Sequence, residues 1–484
     1  MIEAWGTQEV YAAETALMAT LPEGGLMARA VEGLLAVARA RIEERGARRV
    51  VGLIGTGNNG ADALYALAHL AADGRPVAAV TTDRVHRGAS SAATEAGVLL
   101  VSGDEAAATV ADADLVLDGV LGIGGRPQVP DFARSWVAAI PDEAYVIAVD
   151  LPTGADPAGR SGDPDGVFAD ETVTFSVLKP VHLLPATEVR CGRLTVVDIG
   201  LGIDAPPAVR RVVRDDVTRL WPVPGPTDDK YSRGVVGVVA GSQDYPGAAV
   251  LAVTAAVSAG AGMVRYVGPP RPADLVAAAV PEAVHGPGRV QAWVVGPGLV
   301  ATDESGADRL DPQQRRVIEE ALGSAEPVLV DAGGLDLLLA ADLGVRRGLP
   351  TLLTPHAGEC ARLLGVERAE VEADPVGHAE ELARRAGASV LLKGSHTVVV
   401  SSDEDGAVWS QVDAPAWTGT AGAGDVLSGL IGTLLAAGLE PAQAGALGAL
   451  VHGVAADDSN PGGPVRALGI AQALPLAVAG LLRR

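Results

Sequence analysis

Three segments in the first half of the chain place oxygen-bearing side chains directly after apolar, β-branched runs. They are Asn58 and Asn59 of GTGNNGAD, Asp118 before GVLGIGGRPQ, and Asp150 and Thr153 of AVDLPTGAD. Amide, hydroxyl and carboxylate oxygens suit a hard cation, and glycines after a strand let the backbone approach an anion. Each segment alone could instead be an ordinary turn or helix cap. Because ligands of open α/β sheets bind outside the carboxyl ends of the strands, the three together predict one site.

A longer glycine-rich segment, TGTAGAGDVLSGLIG, lies in the second half and carries Asp425 at the start of an Ala/Leu-rich run. Backbone N–H groups at such a turn, together with the helix dipole, form an anion hole. An aspartate there can accept a hydroxyl proton while phosphate rests on the amides. No Gly-Lys-Ser/Thr follows, so the segment is not a P-loop. The same strand-end position is predicted for Lys393 in LLKGSHTVV, His356 in LTPHAGE and the glycines of VVGPGL.

Two sets of alternating strands and helices are predicted to position these segments. In the first half the predicted strands are 49–54, 76–81, 98–101, 114–117, 145–149, 172–175 and 194–197, with a helix over 62–72. In the second half they are 235–240, 263–267, 292–295, 327–330, 351–353, 389–392 and 397–400, with helices over 425–437 and 441–457. These runs are continuously apolar, which predicts parallel, doubly wound α/β sheets covered on both faces. The proline-rich segment 204–230 is the predicted linker, which gives domains of residues 1–212 and 213–484.

The composition excludes several classes of function. The net charge is −23 and no basic block occurs, so neither a nucleic acid nor an anionic membrane is expected as the main partner. Two cysteines cannot build a disulfide framework, and the N-terminus lacks the basic and apolar regions of a signal peptide, so a cytoplasmic location is predicted. The least polar stretch, 246–264, is rich in Ala and Gly and is expected to be a buried helix. Only three of the 37 basic residues are lysines: Lys179, Lys230 and Lys393. This scarcity suggests that lysine is kept where a compact ammonium is needed.

The first half resembles the N-terminal domain of the NAD(P)H-hydrate epimerase family. The motifs GxGNNGxD, an aspartate before a GxGG-type loop, VDxPxG and VTFxxLKP (residues 173–180) occur in that order. The resemblance implies a Rossmann-like three-layer sandwich, Asp150 as catalytic carboxylate, and a potassium ion on Asn59, Asp118 and Thr153. It also implies that Asp150 and two loops bind the substrate. The loop residues are Asn58, Asn59, Gly60, Ala61, Asp62, Gly122, Ile123, Gly124, Gly125, Arg126, Pro127 and Gln128.

The chemistry implied for Asp150 is electrostatic. A carboxylate near C6 of the hydrated nicotinamide ring would stabilise a cationic intermediate while the hydroxyl leaves and returns on the other face. The family's NNGGDG reads NNGADA here, with Ala61 and Ala63. A methyl at Ala61 is expected to weaken binding if the backbone there needs a positive φ or a close approach. Lys179, in the LKP segment, is expected to be either a surface lysine or a residue facing the ligand.

The second half resembles the ribokinase-like superfamily, and most closely its ADP-dependent NAD(P)H-hydrate dehydratase family. The shared motifs are AGS…YPGAA, GPGL, LTPHxGE, LKG and AGxGDVLxG. The resemblance implies a ribokinase-like three-layer α/β/α domain in which the hydrated dinucleotide contacts Ala248, Gly298, His356 and Asp425. It implies an adenine-nucleotide site formed by Lys393, Gly394, Ser395, His396, Thr397 and Gly424. VDAGGL (residues 330–335) departs from the more usual DADAL, because Gly333 replaces the second acidic residue while Asp331 is kept.

The pairing of both halves in one chain is the arrangement of bifunctional NAD(P)H-hydrate repair enzymes. The resemblance implies epimerisation of R and S hydrates by the first domain. For the second domain, the resemblance implies ADP-dependent, magnesium-assisted dehydration of the S form, with release of AMP and phosphate. It also implies small-molecule partners and a homo-oligomer such as a tetramer. The alternative is a small-molecule hydroxyl kinase with a non-catalytic binding or oligomerisation domain, since GAGD motifs also serve such kinases.

Overall fold

The computed structural model describes residues 1–301, 309–402 and 406–483. The chain separates into two units, one of Glu3–Val209 and the other of Arg210–Arg484 together with Met1–Ile2. The division falls within two short strands, β1 (Ile2–Ala4) and β9 (Val209–Arg211). It lies close to the predicted boundary at residue 212.

A fully parallel sheet forms the centre of the first unit. Its strands are β2 (Val50–Ile54), β3 (Val77–Val80), β4 (Leu99–Val101), β5 (Leu115–Gly119), β6 (Tyr145–Val149), β7 (Glu171–Phe175) and β8 (Arg193–Val197). They lie in the order β4-β3-β2-β5-β6-β7-β8. All seven strands predicted for this half are confirmed to within two residues at each end.

Helices cover both faces of this sheet. They are α1 (Thr7–Met18), α2 (Gly25–Arg45), α3 (Asn58–Ala72), α4 (Arg87–Ala96), α5 (Glu105–Ala111) and α6 (Asp131–Val137). Val50 and Ile54 of β2 pack in a cluster with α2, α3 and α4. Val51 and Leu53 pack in another cluster with α5 and α6. Because alternate side chains enter different clusters, the unit is a three-layer, Rossmann-like sandwich.

Helix α3 begins four residues earlier than predicted, at Asn58 and not at residue 62. Gly57 is the extended residue before the helix. A Cβ on Gly60 would lie 2.3 Å from the carbonyl oxygen of Gly55, so the first turn packs directly on the end of β2. Asn58 and Asn59 therefore belong to the first helical turn, whereas the glycine-rich pattern predicts a loop at these positions.

The second unit contains a larger sheet. Its strands are β10 (Val235–Val239), β11 (Met263–Val267), β12 (Val284–His285), β13 (Ala292–Val295), β14 (Val328–Val330), β15 (Thr351–Leu353), β16 (Ser389–Leu392), β17 (Thr397–Val400) and β18 (Val408–Gln411). They lie in the order β18-β17-β16-β15-β14-β13-β10-β11-β12. The seven strands predicted for this half are confirmed, whereas β12 and β18 were not predicted.

The prediction of an all-parallel second sheet is wrong at one edge. Strands β10 to β16 are parallel, but β17 is antiparallel to both β16 and β18. Only residues 393–396 join β16 to β17. A parallel crossover needs about a dozen residues, so a connection this short forces the chain to turn back.

The helices of the second unit lie between the strands and after the last strand, β18. They are α7 (Val217–Leu220), α8 (Pro246–Ser258), α9 (Pro270–Ala279), α10 (Pro312–Gly323), α11 (Gly333–Ala341), α12 (Ala357–Leu364), α13 (Arg368–Ala373), α14 (Pro375–Ala386), α15 (Ala423–Ala436), α16 (Pro441–Ser459) and α17 (Ala467–Leu481). Helices α8, α15, α16 and α17 form one hydrophobic cluster on the sheet. Buried residues of α14, outside that cluster, pack beside β16, so helices flank the strands on both faces.

Small residues allow α8 and α15 to approach closely, as expected for the apolar stretch around residue 250. A Cβ on Gly429 would lie 2.1 Å from the carbonyl oxygen of Ala252. Gly429 therefore has a packing role at this helix crossing. In the part of the chain that the structure describes, no helix is both long and apolar enough to cross a membrane.

Candidate active sites

A cleft of about 780 Å³ in the first unit opens at the carboxyl ends of β2, β5 and β6. Nine of the predicted residues line it: Asn58, Asn59, Gly60, Asp62, Gly122, Ile123, Gly124, Gly125 and Asp150. The Asn59 side chain lies against the second loop, since a Cβ on Gly122 would be 2.8 Å from its amide atoms. The fold thus brings the two loops and Asp150 together.

Four predicted substrate residues are not part of this lining: Ala61, Arg126, Pro127 and Gln128. Ala61 is buried in the hydrophobic cluster beneath α3. It lies inside the helix and is not among the residues with positive φ, so the expected conflict between its methyl and a left-handed backbone is wrong. Arg126, Pro127 and Gln128 continue the loop beyond Gly125, and their role remains a prediction.

Asp150 is held in an unusual backbone conformation by a buried network. Its φ is 69°, which is costly for a residue other than glycine. Its Oδ1 accepts hydrogen bonds from Lys179 Nζ at 2.5 Å and from Thr174 Oγ1 at 2.9 Å. His182 Nε2 donates to the Asp150 carbonyl oxygen at 2.8 Å. Such strain persists only where the surroundings hold it in place, which is common at functional sites.

Lys179 is only 2% exposed, which excludes the alternative of a surface lysine. Its Nζ also donates to Thr174 Oγ1 at 2.8 Å. Burial alone would raise the pKa of Asp150, but the ammonium of Lys179 and its hydrogen bond outweigh burial and hold this pKa below its usual value. Asp150 is therefore ionised at neutral pH. His182 is neutral, because burial, with the charge of Lys179, lowers its pKa to about 4.

Asp118 and Thr153, two of the three predicted potassium ligands, are in direct contact. Asp118 Oδ1 accepts from Thr153 Oγ1 at 2.6 Å, and its Oδ2 accepts from Thr153 N at 2.7 Å. Both residues are fully buried, and burial raises the pKa of Asp118 despite these hydrogen bonds. Asn59 Nδ2 donates to the carbonyl oxygens of Val149 and Leu121, which leaves its Oδ1 as the remaining acceptor. These all-oxygen donors suit a hard cation that would compensate a buried carboxylate.

Helix α1 supplies three cleft residues, Tyr11, Glu14 and Met18, that the sequence analysis does not predict. No local motif marks them, because α1 is far in sequence from the strand-end loops. Burial raises the pKa of Glu14, and the charge of Asp150 adds to this effect.

Among the described residues, no group of three or more His, Cys, Asp and Glu side chains is arranged to hold a metal ion.

In the second unit, Lys393 at the end of β16 is the centre of an ionic cluster. Its Nζ donates to Asp331 Oδ1 at 2.6 Å and lies 3.9 Å from Glu359 Oε2. Asp331 Oδ2 in turn accepts from Ser428 Oγ of α15 at 2.8 Å. Burial alone would lower the pKa of Lys393, but the carboxylates of Asp331 and Glu359 raise it, so the ammonium stays charged.

Asp425 lies in the first turn of α15, beside this cluster. Burial and the negative charge of Asp331 raise the pKa of Asp425 to about 7, against the opposing charge of Lys393. A Cβ on the neighbouring Gly424 would be 3.5 Å from Lys393 Nζ. The structure therefore brings Asp425, Gly424 and Lys393 together, with a carboxyl group whose pKa matches the working pH of a general base.

The other predicted residues of this unit occupy neighbouring strand ends. His356 caps α12, its Nδ1 accepting from the N–H groups of Gly358 and Glu359, and it pairs with Lys393 through an isolated β-bridge. Gly298 has a φ of +65°, and a Cβ there would lie 2.5 Å from that of Ala248, so these two residues are adjacent. Gly394, Ser395 and His396 form the β16–β17 connection, and Thr397 begins β17.

The structure explains the departure from the family pattern at Gly333. A Cβ at this position would lie 2.3 Å from the carbonyl oxygen of Leu299, so helix α11 begins where no side chain fits without a shift. The preceding Ala332 has a φ of 45°. A smaller cavity of about 180 Å³, lined by residues such as Ser242, Asp244 and Arg309, contains none of the predicted dehydratase residues.

Comparison with known proteins matches each unit separately. The NAD(P)H-hydrate dehydratase family matches residues 236–467, and the family described as the YjeF-related protein N-terminus matches residues 23–181. A solved ADP/ATP-dependent NAD(P)H-hydrate dehydratase from Bacillus subtilis, co-crystallised with ATP and Mg²⁺, is 25% identical. That match covers 56% of this chain and 99% of the other, with a TM-score of 0.48.

Curated relatives match both units at once. The bifunctional NAD(P)H-hydrate repair enzyme Nnr of Mycobacterium tuberculosis is 46% identical over 459 residues, which is 91% of each chain. The enzyme of the same name from Escherichia coli is 32% identical over 456 residues, covering 89% of this chain and 84% of the other. Both matches extend along most of the two units, in the same order. The chain therefore belongs to the family of bifunctional NAD(P)H-hydrate repair enzymes.

Proposed function

We propose that this chain repairs hydrated NADH and NADPH in two steps. The first unit interconverts the R and S hydrates. The second dehydrates the S form with ADP and releases AMP and phosphate. The observation that carries this proposal is that one chain contains both sites. In the first unit an ionised Asp150 is bound to Lys179, and in the second unit Asp425 lies beside Lys393.

In the first unit, Asp150 is the proposed catalytic carboxylate. Its negative charge, fixed by Lys179, faces the cleft, where it would stabilise the cation formed when the C6 hydroxyl leaves the ring. The first turns of α3, residues 58–62, and the glycine-rich loop of residues 122–128 would hold the rest of the dinucleotide through backbone N–H groups. Such binding needs no basic surface, which agrees with the acidic composition.

A potassium ion is proposed to bind Asn59, Asp118 and Thr153. The donors fit the ion because they are all oxygens and include a buried carboxylate. When bound, potassium would supply a fixed positive charge at the strand ends that neutralises Asp118. The protein's own contribution is to hold the three donors through the hydrogen bonds between Asp118 and Thr153 and between Asn59 and Val149.

In the second unit, Asp425 is the proposed general base. It would take the proton of the C6 hydroxyl as that oxygen forms a bond to the β-phosphorus of ADP and AMP leaves. Loss of the phosphate from C6 and of a proton from C5 then restores the ring double bond. Ala248, Gly298 and His356 would position the hydrated dinucleotide, while Gly424 and residues 393–397 would bind the nucleotide.

Magnesium is proposed to bind mainly through the phosphates of ADP. Asp331, the acidic residue kept from the family motif, already uses both oxygens on Lys393 and Ser428. Few protein ligands and several phosphate oxygens are typical of magnesium in phosphoryl transfer. A homo-oligomer, such as a tetramer, is proposed from the family resemblance, and a cytoplasmic location from the scarcity of cysteine.

The test of this function is an assay of the full chain with separated R and S hydrates. With ADP and magnesium, the S form is expected to regain reduced-nicotinamide absorbance at once, and the R form only in the presence of potassium. Replacing potassium by choline should therefore prevent recovery from the R form and leave recovery from the S form unchanged. A stable phosphorylated product, with no recovered absorbance, would instead favour the hydroxyl-kinase alternative.

The dehydration rate is expected to fall in acid as Asp425 becomes protonated. A base works only when ionised, and burial raises the pKa of Asp425 to about 7, so kcat/KM should decrease as the pH falls through about 7. The measurement is the initial rate on the S hydrate between pH 5.5 and 9. Samples held at each pH and returned to pH 8 should recover full activity. A rate that stays constant down to pH 5.5 would contradict the role of Asp425.

A further inference from the structure

The epimerase cleft contains a further carboxyl group, Asp62, to whose side chain the proposed function gives no chemical role. It lies in the first turns of α3, lines the cleft and is 6% exposed. Its Oδ1 is buried and has no hydrogen-bond partner among the residues that the structure describes. A buried carboxyl oxygen left without a partner is costly in a finished core, so its presence in a cleft indicates a group that pairs with a ligand.

The surroundings of Asp62 favour its protonated form. The nearby charged groups are Asp150 and Glu14, both acidic, and Lys179 is already bound to Asp150. Burial, with the charges of Asp150 and Glu14, raises the pKa of Asp62 to about 8. The other titratable side chains lining the cleft are Glu23, Tyr11, Tyr65 and His86, and the last accepts a hydrogen bond from Ala89 N as the cap of α4.

Resting on the proposed epimerisation, we infer that Asp62 is the proton donor of the epimerase site, paired with the ionised Asp150. Two carboxyl groups whose surroundings push them into opposite protonation states are the usual sign of an acid and base pair. Lys179 is the structural cause of the difference, since it bonds to Asp150 and not to Asp62.

The reaction balances with these two groups alone. Asp62 gives its proton to the C6 hydroxyl, the C6–O bond breaks with its electron pair on the departing water, and the nitrogen lone pair forms an N1=C6 double bond. Asp150 faces the resulting cation. Water then adds to the opposite face of C6, the N1=C6 pair returns to nitrogen, and the proton lost by water passes to Asp150. Transfer of one proton from Asp150 to Asp62 through solvent restores the starting state.

Asp62→Asn tests this role, because an amide fills the same volume but cannot donate a proton as an acid does. In the full chain, kcat for R-to-S conversion is expected to fall about 100-fold, with KM changed less than threefold. The wild-type rate should decrease above about pH 8, where Asp62 ionises, and this decrease should be absent in the variant. Asp62→Glu should recover part of the rate and keep the alkaline decrease.

Two controls separate this role from a structural one. Asp73→Asn makes the same change at the exposed C-terminal end of α3, where Asp73 pairs with Arg39, and should leave the pH profile unaltered. Carbon-13 NMR of labelled aspartate should show one carboxyl signal titrating near pH 8 that is missing from Asp62→Asn, whatever the activity. The dehydratase rate on the S hydrate should be the same in all variants.

The outcomes distinguish this inference from the proposed function. Wild-type protein that fails to interconvert the hydrates would overturn both. If the wild type is active but Asp62→Asn has an unchanged kcat, the role of Asp62 alone would be overturned. The same holds if the variant keeps the decrease in rate at alkaline pH. An NMR signal for Asp62 that titrates near pH 4 would do the same.

Discussion

Replacing Asp425 by asparagine is expected to lower the dehydration rate of the S hydrate by about 10³-fold while epimerisation continues. The amide keeps the size of the side chain in the first turn of α15 but cannot accept the hydroxyl proton, and general-base catalysis contributes about 10²–10⁴-fold. The binding residues Ala248, Gly298 and Lys393 remain, so KM should change little. The measurement is the steady-state rate of ADP-dependent absorbance recovery with purified S hydrate.

The same variant should not be less stable than the wild type. The pKa of Asp425 is raised to about 7 in the folded chain, so its ionised form is disfavoured by burial and by Asp331. A carboxyl group whose pKa is higher in the folded than in the unfolded chain destabilises the fold at pH values above its unfolded pKa. Replacing Asp425 by asparagine removes this destabilisation. Asp458→Asn, an exposed change at the end of α16, is the matched control. Retained dehydration in Asp425→Asn would exclude it as the base.

The sequence predicts the strands well because each is a continuous apolar run followed by a polar or glycine-rich segment. In a parallel sheet these segments meet at one edge, so the convergence of Asn59, Asp118 and Asp150 follows from the order of the elements. The antiparallel β17 could be inferred only from the four-residue connection after β16. The early start of α3 depends on the close packing of Gly60 against Gly55, which the composition of the loop does not reveal.

The missed features are contacts between residues distant in sequence. Lys179 and Asp150 are 29 positions apart, and nothing local indicates that the lysine is buried against that carboxylate. Glu14 reaches the same cleft from α1 without any motif. The scarcity of lysine was a useful but incomplete signal: Lys179 and Lys393 are bonded to aspartates at strand ends, whereas Lys230 is exposed.

Replacing Lys179 by methionine is expected to cost about 3–5 kcal/mol in the free energy of unfolding of the first unit and to abolish most epimerisation. Removing one partner of a buried ion pair leaves the other charge uncompensated, and Asp150 would keep only Thr174 as a side-chain donor. Hydrogen exchange by mass spectrometry over Glu3–Val209 measures the stability. The rate of R-to-S conversion measures the activity, and the dehydratase rate reports on the second unit.

The stability loss of Lys179→Met should depend on pH in a definite direction. The folded-state pKa of Asp150 is lowered in the wild type, so the pair stabilises the fold above the unfolded pKa of an aspartate, about 4, and that contribution is lost as the pH falls through the lowered value. The two proteins should therefore differ most near pH 7 and converge as the pH falls below about 4.

A double variant separates the two consequences of losing Lys179. Lys179→Met with Asp150→Asn removes both charges, which should restore much of the stability because no uncompensated carboxylate remains, yet leave epimerisation absent. Lys230→Met, the same change at an exposed lysine, should alter neither property. If Lys179→Met were as stable and active as the wild type, the ammonium would have no part in holding Asp150 ionised, and the electrostatic account of the first site would be wrong.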